Sequence, residues 1–215
     1  MRFVPFTLAL LLASAAFAEG APAALTVKVE GIMANNALIP AKYALCQMGD
    51  GGKSKGGENV RPAIEWSGAP ASTQSYAVVV KDPDVPADFT DAGKDGKVVK
   101  ENAKRQLFYH WALADIPVGT RAIPGGHSYR APDFGVKVSG SLAKYVDDST
   151  QYGGPCPPWN DERIHHYHFT VYALDVATLD LPANATAAEL EKAVEGHVVG
   201  SGSVIGTYTL NRALR

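Results

Sequence analysis

The chain has 215 residues, and its 20 basic and 22 acidic side chains give a formal net charge of −2. The composition excludes a strongly basic surface, and no run of Lys and Arg could neutralise a nucleic-acid backbone, so we expect no nucleic-acid partner. The 21 glycines, 14 prolines and short apolar runs rich in Val, Tyr, Phe and Trp favour a β-rich domain with long loops.

The N-terminus has the pattern of a secretory signal peptide. Arg2 precedes an apolar run from Leu8 to Phe17, and Ala16-Phe17-Ala18 fits the small-x-small cleavage rule. The run is too short for a membrane span, and Glu19 does not suit a lipid anchor. We predict removal of residues 1–18, and a single domain over 19–215 that is periplasmic or secreted; a retained N-terminal anchor is the alternative.

Two cysteines, Cys46 and Cys156, remain after the predicted cleavage. Because an export compartment permits oxidation, we predict a disulfide between them. Two free buried thiols are the alternative. A thiol nucleophile is disfavoured, since prolines flank Cys156 and no helix N-terminus would lower the pKa of its thiol.

Short runs of β-branched and aromatic residues predict strands. The predicted strands are Leu25 to Glu30, Ala63 to Trp66, Tyr76 to Lys81, Leu107 to Ala114, His166 to Leu174 and Ser201 to Leu210. One helix is predicted late in the chain, because Thr186-Ala-Ala-Glu189 is a capping box followed by Leu190 and Val194 on one face, with Gly196 or Gly200 to end it.

Two polar insertions separate the strands, Gly49 to Asn59 and Asp88 to Lys104. The second carries three aspartates and faintly resembles a calcium loop, but the acidic twelfth ligand is missing. We predict a solvated loop there.

A run of alternating histidines and aromatics follows the Gly/Pro loop of residues 152–158. In a strand, His165, Tyr167, Phe169 and Val171 would share one face. The other face would carry His166, His168, Thr170 and Tyr172. The sequence thus predicts that one histidine face points into the core and the other outward.

Further polar residues lie at strand ends. Two prolines in Asp82-Pro-Asp84-Val-Pro86 are expected to end a strand and to hold both carboxylates with little freedom; a turn in which Asp caps backbone N–H groups is the alternative. His110 lies in an apolar strand, where a buried neutral histidine is the common outcome. Together with His165, these residues predict a site beside the Pro-rich loops.

These motifs resemble the phosphatidylethanolamine-binding proteins, in particular their bacterial Raf kinase inhibitor-like branch. The matching motifs are Asp82 to Pro86, His110 to Pro117, and Gly154 to Pro158 with His165 to Tyr167; further similar segments are Asn59 to Gly68, Asp133 to Gly135, Gly196 to Gly200 and Gly206 to Tyr208. The chain departs from the family in the inserted Trp159 to Ile164, in His166 where Arg is usual, and in longer insertions at 88–104 and 136–151.

The resemblance implies a mainly β (β-rich α+β) fold, with a central antiparallel-type sheet, a second smaller sheet and one or two peripheral helices. It also implies a small cavity that binds phosphate or a phospholipid head group, and no cofactor or metal. The implied ligand-binding residues are Asp82, Asp84 as support, Pro86, His110, Gly154, Pro157, Pro158 and His165. Charged histidines would donate to phosphate oxygens, while the aspartates would orient them and accept from an ammonium.

Three alternatives remain. The Asp and His residues could serve acid-base catalysis with Ser128 or Ser139 as nucleophile, although no nucleophile-elbow motif is present. His166 and His168 could chelate a metal. The insertions could contact an exported protein partner, as an inhibitor would. We favour a binding protein over an enzyme.

Overall fold

The computed structural model describes residues 21–126, 137–138, 152–182 and 185–215, and the predicted signal peptide of residues 1–18 lies outside them. The strands are β1 (Ala23–Ala24), β2 (Thr26–Val29), β3 (Ala37–Leu38), β4 (Cys46–Met48), β5 (Ser54–Gly56), β6 (Ile64–Ser67), β7 (Ser75–Pro86), β8 (Arg105–Pro117), β9 (Ala122–Ile123), β10 (Lys137–Val138), β11 (His165–Leu174) and β12 (Val198–Tyr208). One α-helix, α1, spans Ala187–Val194, and short 3-10 turns lie at Ala41–Tyr43, Asp50–Gly52 and Arg212–Leu214.

The central sheet has the order β1-β12-β11-β7-β8-β10, with β3 also paired to β12. Its long strands are antiparallel, whereas the two-residue strands β1 and β3 run parallel to β12. A second sheet has the order β2-β6-β9, and β4 pairs with β5. The predicted mainly β fold with one large and one smaller sheet is confirmed.

The central sheet is covered on both faces, which explains why β7 is apolar without interruption from Tyr76 to Val80. Tyr76, Val78 and Val80 lie in the core that includes residues of the smaller sheet. Ala77 and Val79 point to the opposite face, into a second core that includes residues of α1. Alternate residues of one strand thus belong to two cores.

Helix α1 begins with the predicted capping box. The Glu189 N–H donates to Thr186 Oγ1 (3.2 Å), and the Thr186 N–H donates to Glu189 Oε2 (2.6 Å). The chain leaves the helix at Glu195, and Gly196 adopts a φ of +83°, which favours glycine. Glu191 fastens the helix to the sheet by accepting hydrogen bonds from Lys81, Tyr109 and Tyr172.

The predicted end of this strand at Lys81 was wrong, because β7 continues past Pro83 through a bulge and ends at Pro86, the second of the two prolines. Asp82 pairs with Phe108, and the next pair is Val85 with Gln106, so β7 contains one extra residue at this point. Pro83 lies inside the bulge, where the missing N–H costs no ladder hydrogen bond.

Candidate functional site

A cavity of about 530 Å³ lies where β7, β8 and β11 meet the Gly/Pro loop. Five of the predicted ligand-binding residues line it: Asp82, His110, Pro157, Pro158 and His165. Most of the remaining wall is apolar or aromatic, and consists of Leu45, Cys46, Val85, Phe89, Ala92, Gly93, Phe108, Cys156, Trp159 and Tyr167, with Ser54 as a further polar residue. The cavity therefore combines a buried polar floor with an apolar wall, as small-molecule sites do.

The floor is held by a chain of buried charges. His165 Nδ1 donates to Asp82 Oδ2 (2.7 Å), and His165 Nε2 donates to Asp161 Oδ2 (3.2 Å). Arg105 donates from its two terminal nitrogens to the two oxygens of Asp161, at 2.6 and 2.9 Å. Two carboxylates thus balance two cations, and the bidentate pair fixes Asp161 in orientation.

The charged form of His165 is stabilised by its partners. Burial alone would lower the pKa of its imidazole, but the hydrogen bonds to Asp161 and Asp82 and the charges of both carboxylates raise the pKa to about 9. Burial also opposes ionisation of Asp161, yet hydrogen bonds from His165 and Arg105 hold the pKa of this carboxyl below its usual range.

Both ring N–H groups of His165 are consumed by these carboxylates, and its side chain is 1% exposed. The imidazolium therefore has no N–H left to donate to a phosphate. In this arrangement His165 holds Asp82 at the floor, and its contact with a ligand stays a prediction.

His110 differs from His165. Its Nδ1 lies 2.8 Å from the carbonyl oxygen of Gly153, which can only accept, so Nδ1 carries the proton. Nε2 is buried with no hydrogen-bond partner among the described residues, and it lies 4.0 Å from Asp82 Oδ2. Burial lowers the pKa of His110 despite the nearby charge of Asp82. Desolvation thus outweighs the attraction of one carboxylate, which favours the buried neutral histidine expected in an apolar strand over the charged form.

Gly154 does not line the cavity but allows the Gly/Pro loop to pack against the body of the domain. A Cβ at this position would lie 2.0 Å from the carbonyl oxygen of Tyr43. The Gly154 N–H donates to Asn59 Oδ1 (2.7 Å), and the Asn59 amide donates to the carbonyl oxygen of Tyr152 (3.1 Å). Its role is close backbone approach rather than ligand contact.

The predicted disulfide between Cys46 and Cys156 is present and ties the loop to β4. The Cys46 N–H also donates to the carbonyl oxygen of Pro155 (3.1 Å). Since both cysteines line the cavity, the disulfide is part of its wall.

Asp84 and Pro86 are not among the lining residues either. The bulge in β7 turns Asp84 away from the cavity, and its carboxylate accepts from the His166 N–H (3.0 Å), His166 Nδ1 (2.8 Å) and Arg163 (3.2 Å). Burial works against ionisation of Asp84, but the hydrogen bonds from His166 and Arg163 lower the pKa of its carboxyl. Asp84 therefore stabilises the start of β11 and does not line the cavity.

The insertion at Asp88 to Lys104 forms part of the cavity wall, so its prediction as a merely solvated loop was incomplete. Phe89, Ala92 and Gly93 line the cavity, and Val99 is buried. The side-chain amide of Asn160 donates to the carbonyl oxygens of Asp91 (2.9 Å) and Lys97 (2.9 Å), and its oxygen accepts from the Gly93 N–H (2.8 Å).

Sequence reasoning missed Asp161, Arg105 and Asn160 as residues that build the site. The side chains of Arg105 and Asp161 are 8% and 1% exposed, and Asn160 is buried as well. Asp161 and Asn160 lie in the segment that departs from the family pattern. The usable signal was the spacing, because Asp161 precedes His165 by four residues and a buried histidine needs a partner.

Several earlier expectations concern residues outside the described part of the chain. These are Ser128, Ser139, the Asp133 to Gly135 segment and the 136–151 insertion apart from the backbone of β10. Within the described ranges, no group of three or more His, Cys, Asp or Glu side chains is arranged to hold a metal ion. In the same ranges, no helix has the length and apolar character needed to cross a membrane.

The fold and the cavity define a class of protein, namely a β-rich domain with a buried Asp/His floor under an apolar wall. A family profile described as phosphatidylethanolamine-binding protein matches residues 30–209. A UPF0098 protein of Methanothermobacter thermautotrophicus is 34% identical over 153 residues, which cover 71% of this chain and 84% of the relative. A UPF0098 protein of Pyrococcus horikoshii is 32% identical over 184 residues, covering 86% and 77% respectively.

Solved structures agree with this assignment. A phosphatidylethanolamine-binding protein homolog of Chlamydia trachomatis has a TM-score of 0.62 at 25% identity, covering 86% of this chain and 97% of that chain. YbcL of Escherichia coli shares the fold, with a TM-score of 0.65 at 24% identity over 87% and 99% of the two chains. The chain belongs to the phosphatidylethanolamine-binding protein family.

Proposed function

We propose that this protein is an exported binding protein for a small ligand of the phospholipid head-group type, which it takes up in the cavity above Asp82 and His110. Family membership supports a ligand-binding role over a catalytic one. The observation that carries the proposal is the buried, unpartnered Nε2 of His110 beside Asp82, on the floor of a cavity with an apolar wall.

The hydrogen-bonding state of the floor decides which head groups are suitable. The His165 N–H groups and the His110 Nδ1–H are already engaged, so the floor offers acceptors and no free imidazole donor. A bare phosphate also carries acceptor oxygens, so it would lose its hydrogen bonds to water and gain none from the floor. A zwitterionic head group, which carries its own positive charge, is the better ligand.

Export is supported by two independent features. The first 18 residues have the signal-peptide pattern, and the only two cysteines are joined in a disulfide. If the signal is removed as proposed, N-terminal sequencing of the protein recovered from a bacterial periplasm will begin at Glu19. A cytoplasmic product that begins at Met1 would contradict export.

The binding proposal is tested by calorimetric titration of the oxidised protein with phosphocholine and phosphoethanolamine. We expect His110→Ala and the shape-conserving His110→Gln to weaken binding about tenfold or more, since each changes the floor. His197→Ala is the matched control, because the His197 side chain is half-buried and pairs with Asp175, and neither residue lines the cavity. Equal affinity in all three folded variants would remove His110 from the ligand site.

A further inference from the structure

A second pocket, with a volume of about 330 Å³, lies at the start of β11. It has no described lining residue in common with the cavity. Glu162, Arg163 and Ile164 line it and belong to the inserted segment Trp159 to Ile164. His166, which stands where the family usually has Arg, lines it as well. Two of the departures from the family pattern therefore meet in this second pocket.

Two other parts of the chain complete the second pocket. Glu101, from the long insertion before β8, donates its backbone N–H to Glu162 Oε2 (3.4 Å). Leu214 lies in the C-terminal turn, where its N–H donates to the carbonyl oxygen of Asn211 (3.1 Å). The Asn211 amide in turn donates to the carbonyl oxygen of Asp161 (2.8 Å). Hydrogen bonds within the chain thus hold the walls in place before any ligand binds.

The charges of the second pocket are unevenly compensated. Its lining holds three carboxylates against one guanidinium, and the Asp84 carboxylate is already satisfied by the three hydrogen bonds described above. Glu162 pairs with Lys100 (3.0 Å), whose side chain is 67% exposed, and solvent weakens such a pair. In the part of the chain that the structure describes, no cation pairs with the Glu101 carboxylate. The charge left over is negative.

The second pocket also has an apolar side. Ile164 is 37% exposed, although it is a large aliphatic residue, and Leu214 lines the same pocket. A metal ion does not fit, because the described residues contain no group of ligands arranged to hold one. An amphipathic organic cation fits both sides, since its charged end can meet carboxylates while its hydrocarbon chain covers apolar surface.

We infer that the second pocket binds a primary alkylammonium on an unbranched carbon chain, which is the chemistry of a lysine side chain on a partner protein or of a free diamine. The ammonium pairs with Glu101 and Glu162, and the chain packs on Ile164 and Leu214. This inference is independent of the proposed function, because the cavity and the second pocket are lined by different residues.

The test is an NMR titration of the oxidised protein, in which the backbone amides of Glu101, Glu162 to His166 and Leu214 report on the second pocket. The probes are cadaverine and Nα-acetyl-lysine methylamide, compared with methylamine, which lacks the chain, and pentanoate, which lacks the cation. We expect both long amines to shift these amides at millimolar concentrations, methylamine to bind more weakly and pentanoate to have no effect. Tighter binding of cadaverine would identify a free diamine as the ligand, and tighter binding of the lysine derivative would identify a polypeptide.

Two variants separate the charge from the chain. Glu101→Gln keeps the size of the side chain and removes its charge, so it should weaken cadaverine binding about 2- to 5-fold. Glu58→Gln is the matched control, because Glu58 is exposed and does not line the second pocket. Ile164→Thr keeps the branched shape but removes apolar surface, so it should reduce the advantage of cadaverine over methylamine. Thermal melts check that the variants fold.

The inference is overturned if neither long amine shifts the lining amides, or if Glu101→Gln and Glu58→Gln bind cadaverine equally well. Binding of pentanoate at the same amides, or equal binding of methylamine and cadaverine, would also overturn it. None of these results changes the phosphocholine titration of the cavity, so the inference and the proposed function can fail separately.

Discussion

Removal of one buried charge should show how strongly the floor of the cavity depends on its ion network. Asp161→Asn keeps the shape of the side chain but removes the negative charge that pairs with Arg105 at 2.6 Å and with His165 at 3.2 Å. The side chains of Asp161 and Arg105 are 1% and 8% exposed, so the guanidinium is left buried without its counter-charge. Breaking such a pair typically costs about 3–5 kcal/mol of folding free energy.

The assay is urea unfolding followed by tryptophan fluorescence, with the free energy obtained by linear extrapolation. Asp95→Asn is the matched control, because its partner Lys53 is 57% exposed and solvent screens the pair. We expect a large loss for Asp161→Asn and little change for the control. A loss no greater than that of Asp95→Asn would refute the role assigned to the network.

Three further predictions follow from the same contacts. The folded-state pKa of His165 is raised from 6.5 to about 9, so protonated His165 contributes about 3 kcal/mol of stability below about pH 6.5, and this contribution is lost as pH rises toward 9. The stabilities of wild type and His165→Gln should therefore converge over that range. A constant difference between them would contradict the shift. Gly154→Ala should cost about 2–3 kcal/mol because its Cβ meets the Tyr43 carbonyl, whereas Gly119→Ala, with open space around it, should be nearly neutral in the same urea assay. Reduction of the disulfide, which spans 110 residues, should lower the free energy of unfolding by about 4 kcal/mol and weaken phosphocholine binding; unchanged binding would show that the covalent link does not shape the wall.

Local patterns in the sequence predicted much of the fold. The alternation from His165 onward is confirmed, since His165, Tyr167 and Phe169 are buried and His166 and His168 are half-buried. The capping box and the disulfide are confirmed as well. These features depend on residue periodicity, a four-residue motif and an even cysteine count, all of which are visible in one sequence.

Less of the candidate site could be predicted from the sequence. The bulge in β7 separates Asp82 from Asp84, and its position depends on pairing with β8, which one sequence does not specify. Likewise, the state of each histidine depends on three-dimensional neighbours. His165 has two carboxylates within hydrogen-bond range, whereas His110 has a carbonyl oxygen and one carboxylate at 4.0 Å.

The proposed function depends on a neutral His110 at the floor of a head-group site. The measurement is a nitrogen-15 NMR spectrum of the histidine side chains at pH 7, recorded without and with saturating phosphocholine, with His197, which lies outside the cavity lining, as an internal reference. We expect a neutral His110 protonated at Nδ1, whose Nε2 resonance moves on ligand addition while that of His197 does not. An imidazolium spectrum for His110 before ligand is added, or an Nε2 resonance unmoved at saturation, would contradict it.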